Sequence, residues 1–360
     1  MQISQTSKKT IDACRFCWMC RHICPIGNAT GQERNTSRAR ALGLSMVERE
    51  MEALGKIIDN MYECSLCGAC TKECMTGWDP TQFTTEVKLE AALEGCLPEY
   101  VLRMVENVEK TGNAYGKTAL DEGLKQEIAS LPENASTLLY LGTDARYQAP
   151  EQARRAIQLL KKAGVEFTVL ADEPGSGYDL YFLVGGAEET RQRMKQTAEI
   201  LNRFETVVVY DPNDAKMFLR PYKEWEIGLT ATIQTFTSYV AGLLETGKLT
   251  VSKSEKTYTF QDPAALARDL EETQSARKIL AACGNLKEML LHGKHTNLAG
   301  NLLMREYLSQ VMDLVAKNRW RDAEGVGATC VVTASPSEYV CLKETQPEGM
   351  ELCSLEEILL

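Results

Sequence analysis

Cys14-Arg-Phe-Cys17-Trp-Met-Cys20-Arg-His-Ile-Cys24-Pro25 and Cys64-Ser-Leu-Cys67-Gly-Ala-Cys70-Thr-Lys-Glu-Cys74-Met75 decide how this chain is read. Both stretches are C-x2-C-x2-C-x3-C. Three thiolates at x2 intervals wrap a short loop around one face of a cubane whose irons each need a ligand, and the fourth cysteine points away from that loop. Thirteen cysteines occur in 360 residues, and eight of them lie in the first 74. The other five, Cys96, Cys283, Cys330, Cys341 and Cys353, are scattered singly, and buried packing is the role expected of them. A disulfide framework would spread its cysteines through a small secreted chain. The asymmetry implies one cysteine-rich module joined to a conventional domain.

The first run ends in the Cys-Pro that is typical of bacterial ferredoxins, in which the fourth cysteine of each run ligates the other cluster. By that rule Cys14, Cys17 and Cys20 share a [4Fe–4S] cluster with Cys74, while Cys64, Cys67 and Cys70 share a second one with Cys24. Met75 replaces the proline of the second run. Proline there shapes the chain and supplies no ligand, so the second cluster is expected to survive. The competing assignment is a pair of zinc sites, but these usually set two C-x2-C pairs well apart. Trp18, between ligands, is expected to keep water from its cluster or simply to pack.

The 39 residues between Cys24 and Cys64 carry a second clue. They contain Ser37-Arg-Ala-Arg-Ala-Leu-Gly-Leu and then Met46 to Met61. Apolar residues at Met46, Val47, Met51, Leu54, Ile57, Ile58 and Met61 follow the step of an amphipathic helix. A helical connector resembles the α-helical ferredoxin type of succinate dehydrogenase and heterodisulfide reductase iron–sulfur subunits. Thr85 to Gly95 reads as a further helix, stopped by glycine and Pro98.

Composition narrows the function classes. The formal charge is −10, 44% of residues are hydrophobic and 25% are charged. An acidic chain without a basic stripe argues against nucleic-acid binding. No stretch reaches the roughly twenty apolar residues of a membrane span. The polar start, Met1 to Lys9, does not read as a signal peptide. A cytoplasmic location is expected, with any membrane association running through a partner.

Beyond a joining segment at 101–136, the pattern turns to alternating strands and helices. Thr137–Leu141, Phe167–Leu170, Asp179–Val184 and Thr206–Tyr210 read as strands, with helices over Glu151–Lys162 and Glu188–Phe204. Such alternation implies a parallel sheet. A weak echo follows: Tyr258-Thr-Phe-Gln-Asp-Pro, then Thr273 to Gly284, then Val331-Val-Thr-Ala-Ser-Pro. The expected fold class is α+α/β. A helical ferredoxin-type domain over 1–100 with two [4Fe–4S] clusters precedes duplicated α/β repeats over 137–248 and 249–360.

This organisation resembles the iron–sulfur subunits of glycolate oxidase, the C subunits of anaerobic glycerol-3-phosphate dehydrogenase and the D subunits of heterodisulfide reductase. In that family each repeat typically carries Cys-Cys-Gly and Cys-Pro-x-Cys motifs for a further iron–sulfur centre. Here Asp211-Pro212-Asn213-Asp214 and Ser335-Pro336-Ser337-Glu338 stand at the Cys-Pro-x-Cys positions. Pro174-Gly175-Ser176-Gly177 and Leu291-His292-Gly293 stand near the Cys-Cys-Gly positions, and Asp262-Pro263-Ala264 replaces Asp-Pro-Cys. Aspartate, serine and alanine are poor ligands for soft irons, so loss of that centre is expected.

The resemblance implies an electron-transfer iron–sulfur subunit of a multi-subunit oxidoreductase, with no flavin on this chain and no catalytic residue of its own. The implied partner is a flavoprotein, an FAD-linked 2-hydroxyacid dehydrogenase, sometimes with an electron-transfer flavoprotein. The alternatives are a heterodisulfide-reductase-like catalytic subunit and a zinc-binding assembly subunit. Two lesser features complete the reading. His292 and His295 could form a metal or proton-transfer site, or lie on an exposed loop. Gly185-Gly186 could face a phosphate, or form an ordinary turn.

Overall fold

The computed structural model describes residues 3–14 and 17–360. Met1 and Gln2, at the head of the polar N-terminal stretch, and Arg15 and Phe16, inside the first cysteine run, lie outside it.

Each cysteine run contains a five-residue helix, Met19–Ile23 and Ala69–Glu73, and the two helices pack on each other. The residue leading into each helix is left-handed, Trp18 at φ 69° and Gly68 at φ 71°. The fourth cysteine of the first run caps the next helix, Pro25–Thr30, its Sγ accepting from the Gly27 amide at 3.4 Å. Pro25 at the first helical position loses no hydrogen bond by lacking an N–H.

The connector holds two helices where the periodicity predicts one. Ser37–Glu48 and Leu54–Tyr62 are parted by a turn with Glu50 at φ 58°. Buried Arg40 gives the reason: its Nε and Nη2 donate to the carbonyls of Asn60 and Glu63, both at 2.8 Å. Folding the first helix back on the second satisfies C-terminal carbonyls that a continuous helix would carry out of reach. Two longer helices follow. Pro80–Leu93 is capped by Asp79, and Glu99–Thr111 buries Val101, Met104 and Val108.

Seven short strands form two all-parallel sheets among the described residues. The first has the order β1 (Thr137–Tyr140), β2 (Thr206–Val209), β3 (Thr232–Thr235). The second comprises β4 (Thr257–Gln261), β5 (Asn285–Leu286), β6 (Cys330–Thr333) and β7 (Glu351–Ser354), in the order β5-β4-β6-β7. β3, β5 and β7 escape sequence reading because they are short edge strands with little apolar content.

Two predicted strands are absent. Phe167–Leu170 makes only a single bridge, Thr168 to Leu138. Asp179–Val184 is part of a helix, Tyr178–Val184, lying between Gly177 at φ 93° and Gly185 at φ 66°. A short apolar run fits either element, and tertiary contacts decide here. Leu180, Phe182, Leu183 and Val184 are buried with the N-terminal helices. The Tyr62 hydroxyl donates to the Leu183 carbonyl at 2.6 Å, and Lys88 Nζ to that of Phe182 at 2.9 Å. Gly185 and Gly186 make this seam close. A Cβ on Gly185 would stand 2.6 Å from the Thr85 carbonyl, and one on Gly186 2.9 Å from Trp225. Close approach of the Thr85 backbone and the Trp225 ring, and not a phosphate, explains the pair.

One apolar core spans both sheets, joining Leu139 and Val208 of the first to Phe260 and Val332 of the second. Another joins the N-terminal helices to Leu180–Val184 and to Leu303, Met304, Met312 and Val315. Among the described residues no helix is long and apolar enough to cross a membrane.

Candidate metal centre

The fold gathers the eight predicted ligands at one end of the helical region. Cys14, Cys17, Cys20 and Cys74 line a cavity of about 200 Å³, whose wall also includes Cys70, Trp18 and Trp78. The second group is recognised by its mutual electrostatics. Burial pushes the Cys24 thiol up to about 11; Arg40 opposes this and the charges of Cys67 and Cys64 add to it. Burial also holds Cys70 well above its ordinary value, reinforced by Cys64, Cys67 and Cys24. Cys24 therefore lies with the second run and Cys74 with the first, while Cys70 borders both groups.

The surroundings suit an anionic, sulfur-rich group. The Trp78 indole N–H is a buried donor without a partner, and the buried Ser37 hydroxyl has only cysteine sulfurs beside it. Ser37 faces both Cys20 and Cys70, and Trp78 lines the cavity. A buried donor without an acceptor is costly, and inorganic sulfide or thiolate would supply one. Cationic charge is at hand too. Arg40 acts on Cys24, and buried Lys88 lies near Cys64. Burial pulls Lys88 down to about 7, a shift that Cys64 opposes. The donor set and its environment fit [4Fe–4S] clusters. Raised thiol pKa values mean that metal must displace these protons on binding.

The two thiol groups differ in exposure. Cys17 is exposed, and around the first group stand Trp18 (38% exposed), Met19 (44%) and Met75 (93%). The guanidinium of Arg38 lies 3.9 Å over the Trp18 ring, so the tryptophan forms a rim rather than a buried shield. The second group faces inward. Arg268 donates through Nε to the Cys67 carbonyl at 2.6 Å, tying that loop to the second sheet's half of the chain.

Where the resembled family would place a further centre, polar side chains are hydrogen-bonded to one another. Asp211 and Ser335 each cap the helix that follows their strand, with proline next. Asp214 accepts from Ser176, and Ser337 Oγ from the Leu302 amide at 2.8 Å. Glu338 accepts from Gln261 at 3.0 Å and from the Ala299 amide at 3.1 Å. Asp262 holds Arg277 bidentately at 2.8 and 2.9 Å, and accepts from the Gly293 amide. Burial raises Asp144 to about 6, Asp179 to about 7 and Glu338 to about 8. These groups do not fit a soft iron site.

The two histidines diverge on an exposed turn. His292 Nδ1 lies 2.7 Å from the Met289 carbonyl, and His295 Nδ1 lies 2.6 Å from Glu73. Sequence reasoning missed Ser37, Trp78, Arg40 and Lys88 altogether. It also missed the meeting of Cys330 and Cys353, whose sulfurs are 3.5 Å apart.

Residues 10–78 match the 4Fe-4S dicluster domain family. The N-terminal module is a 4Fe-4S dicluster domain. Similarity to curated proteins extends further along the chain. It is 24% identical over 334 residues to a probable membrane-anchored ferredoxin of Chromohalobacter salexigens, covering 80% of this chain and 49% of that one. An uncharacterized iron–sulfur protein of Methanococcus maripaludis is 22% identical over 340 residues, covering 91% and 66%. The D subunit of the dihydromethanophenazine:CoB–CoM heterodisulfide reductase of Methanosarcina acetivorans is 22% identical over 308 residues, covering 77% and 74%. The chain thus spans about half the length of the first relative and 66% of the second.

Proposed function

We propose that this chain is an electron-transfer subunit holding two [4Fe–4S] clusters, one on Cys14, Cys17, Cys20 and Cys74, the other on Cys64, Cys67, Cys70 and Cys24. The observation that carries this reading is the gathering of eight thiols into two groups, beside the buried donors of Ser37 and Trp78. Clusters bound there supply one-electron chemistry, with potentials set by charge, hydrogen bonds and solvent exposure. The chain's residues divide that task. Trp18, Met19 and Met75 form an apolar rim at which a redox partner can come close to the first group. Arg40 supplies positive charge beside the second, the Lys88 amine lies close to Cys64, and Arg268 ties that group's loop to the α/β part.

The proposed partner is a flavoprotein of the FAD-linked 2-hydroxyacid dehydrogenase type, within a multi-subunit oxidoreductase. The α/β part then serves as scaffold and docking surface. Anaerobic purification of the native complex, with iron, sulfide and flavin analysis, tests this. About eight iron and eight sulfide per chain, with a flavoprotein attached, is the expected result. Zinc without labile sulfide would overturn it.

Similarity to a heterodisulfide reductase component favours a second reading, catalysis on this chain. Against it stand the caps and hydrogen bonds that occupy Asp211, Asp214, Ser335 and Glu338. About twelve or more iron per chain, or turnover by the isolated chain, would make that reading the better one.

A further inference from the structure

β7 is an edge strand of the second sheet, and its parallel register with β6 pairs Cys330 with Glu351 and Val332 with Cys353. Alternation along strands therefore puts Cys330, Glu351 and Cys353 on one face. Their ligand atoms, two sulfurs and a carboxylate oxygen, all lie within 4.8 Å of one another. We propose that Cys330, Glu351 and Cys353 form a binding site for a thiophilic divalent cation such as Zn²⁺, distinct from the N-terminal cysteines.

The geometry favours a metal over a disulfide. Two sulfurs bonded at about 2.3 Å to a tetrahedral zinc stand about 3.8 Å apart, and here they stand at 3.5 Å. A disulfide would need the backbones to approach. Residues offset by two across neighbouring strands have Cα atoms about 7–8 Å apart, at or beyond the roughly 7 Å limit for a disulfide without backbone movement. The donor set also discriminates among cations. Thiolates select zinc and its soft relatives, while magnesium and calcium take oxygen.

Burial is graded in the way a loading site needs. Cys330 is buried, Cys353 half-buried and Glu351 exposed at the rim, so a cation enters from the carboxylate side and keeps water in its fourth position. On binding, the thiols release their protons to solvent. Lys256 Nζ now donates to Glu351 at 2.5 Å and must swing aside. Both side chains are about half exposed, so that ion pair contributes little. A bound cation would fasten the edge strand to β6.

The test uses the full chain, purified anaerobically with its iron in place, exposed to Zn²⁺ and then desalted. About one zinc per chain, with iron unchanged, is expected. Cys353→Ser and Cys330→Ser should lose it, Glu351→Gln should bind at least tenfold more weakly, and Cys96→Ser should retain it. Cd²⁺ gives an independent readout: a thiolate-to-metal charge-transfer band in the wild type that Cys353→Ser lacks. Should Cys330→Ser fail to fold, Glu351→Gln at the exposed rim still carries the comparison. Zinc retained by Cys353→Ser, no zinc in the wild type, or a Cys330–Cys353 disulfide in the protein's intact mass would each overturn the site.

Discussion

Ser37 and Trp78 hold buried donors beside the thiol groups, and such donors raise a cluster's potential by stabilising its more negative reduced form. A hydrogen bond is worth about 0.5–1.5 kcal/mol net, so Ser37→Ala is expected to lower a midpoint potential by about 20–60 mV. A redox titration followed by electron paramagnetic resonance reads this directly, and an unchanged potential would refute the role. Asp179 carries a prediction of another kind. Burial, and then the charge of Asp144, raise it to about 7, above the roughly 3.9 of an unfolded aspartate. The folded chain therefore keeps a proton that the unfolded chain gives up, so this group's contribution falls as pH rises from about 4 to about 7 and then levels off. Asp179→Asn should flatten that slope, gaining a few degrees of melting temperature over the wild type at pH 8 relative to pH 5.5. The cysteine ligand candidates were legible because their spacing is local. Ser37 was not: nothing within its own helix says that its hydroxyl will face cysteines from two other helices. Cys330 and Cys353 were invisible as a pair for a similar reason, since only the register of β6 and β7 brings them together.

At the scale of elements, the helix Tyr178–Val184 shows where sequence reading stops. Its apolar run fits a buried strand, yet its last carbonyls are taken by Tyr62 and Lys88 from the N-terminal helices. Tyr62→Phe removes one of those donors and leaves the Leu183 carbonyl buried, which should cost about 1–3 kcal/mol in chemical denaturation. Gly185→Ala should cost at least as much, because its φ of 66° and the Thr85 carbonyl at 2.6 Å both oppose a Cβ. The split connector teaches the same lesson. Periodicity finds the helical residues, while the break near Glu50 depends on what Arg40 must reach. Strands β1 and β2 were legible as compact apolar runs and β4 and β6 only as their echo, whereas the polar edge strands were not.

Across the whole molecule, the thiol groups lie on a gradient from surface to interior. The first opens beside Met19 and Met75, and the second is tied inward by Arg268. Met75→Glu should leave iron content unchanged and slow electron exchange with a partner protein in stopped-flow mixing, while exchange with a small-molecule reductant stays the same. Equal slowing by both would place the port elsewhere. The helical region is also not self-contained, since its core takes in Leu180–Val184 and Leu303–Val315. Loss of visible absorbance and loss of helical ellipticity should therefore occur together on heating. The proposed trading of Cys24 and Cys74 between the two runs has a consequence that reaches further still. A protease cut at the exposed turn around Met51 would sever the chain without freeing its pieces. The fragments would stay riveted through both proposed centres and migrate as one species even in a denaturant that opens the apolar core they share, until a chelator stripped the iron.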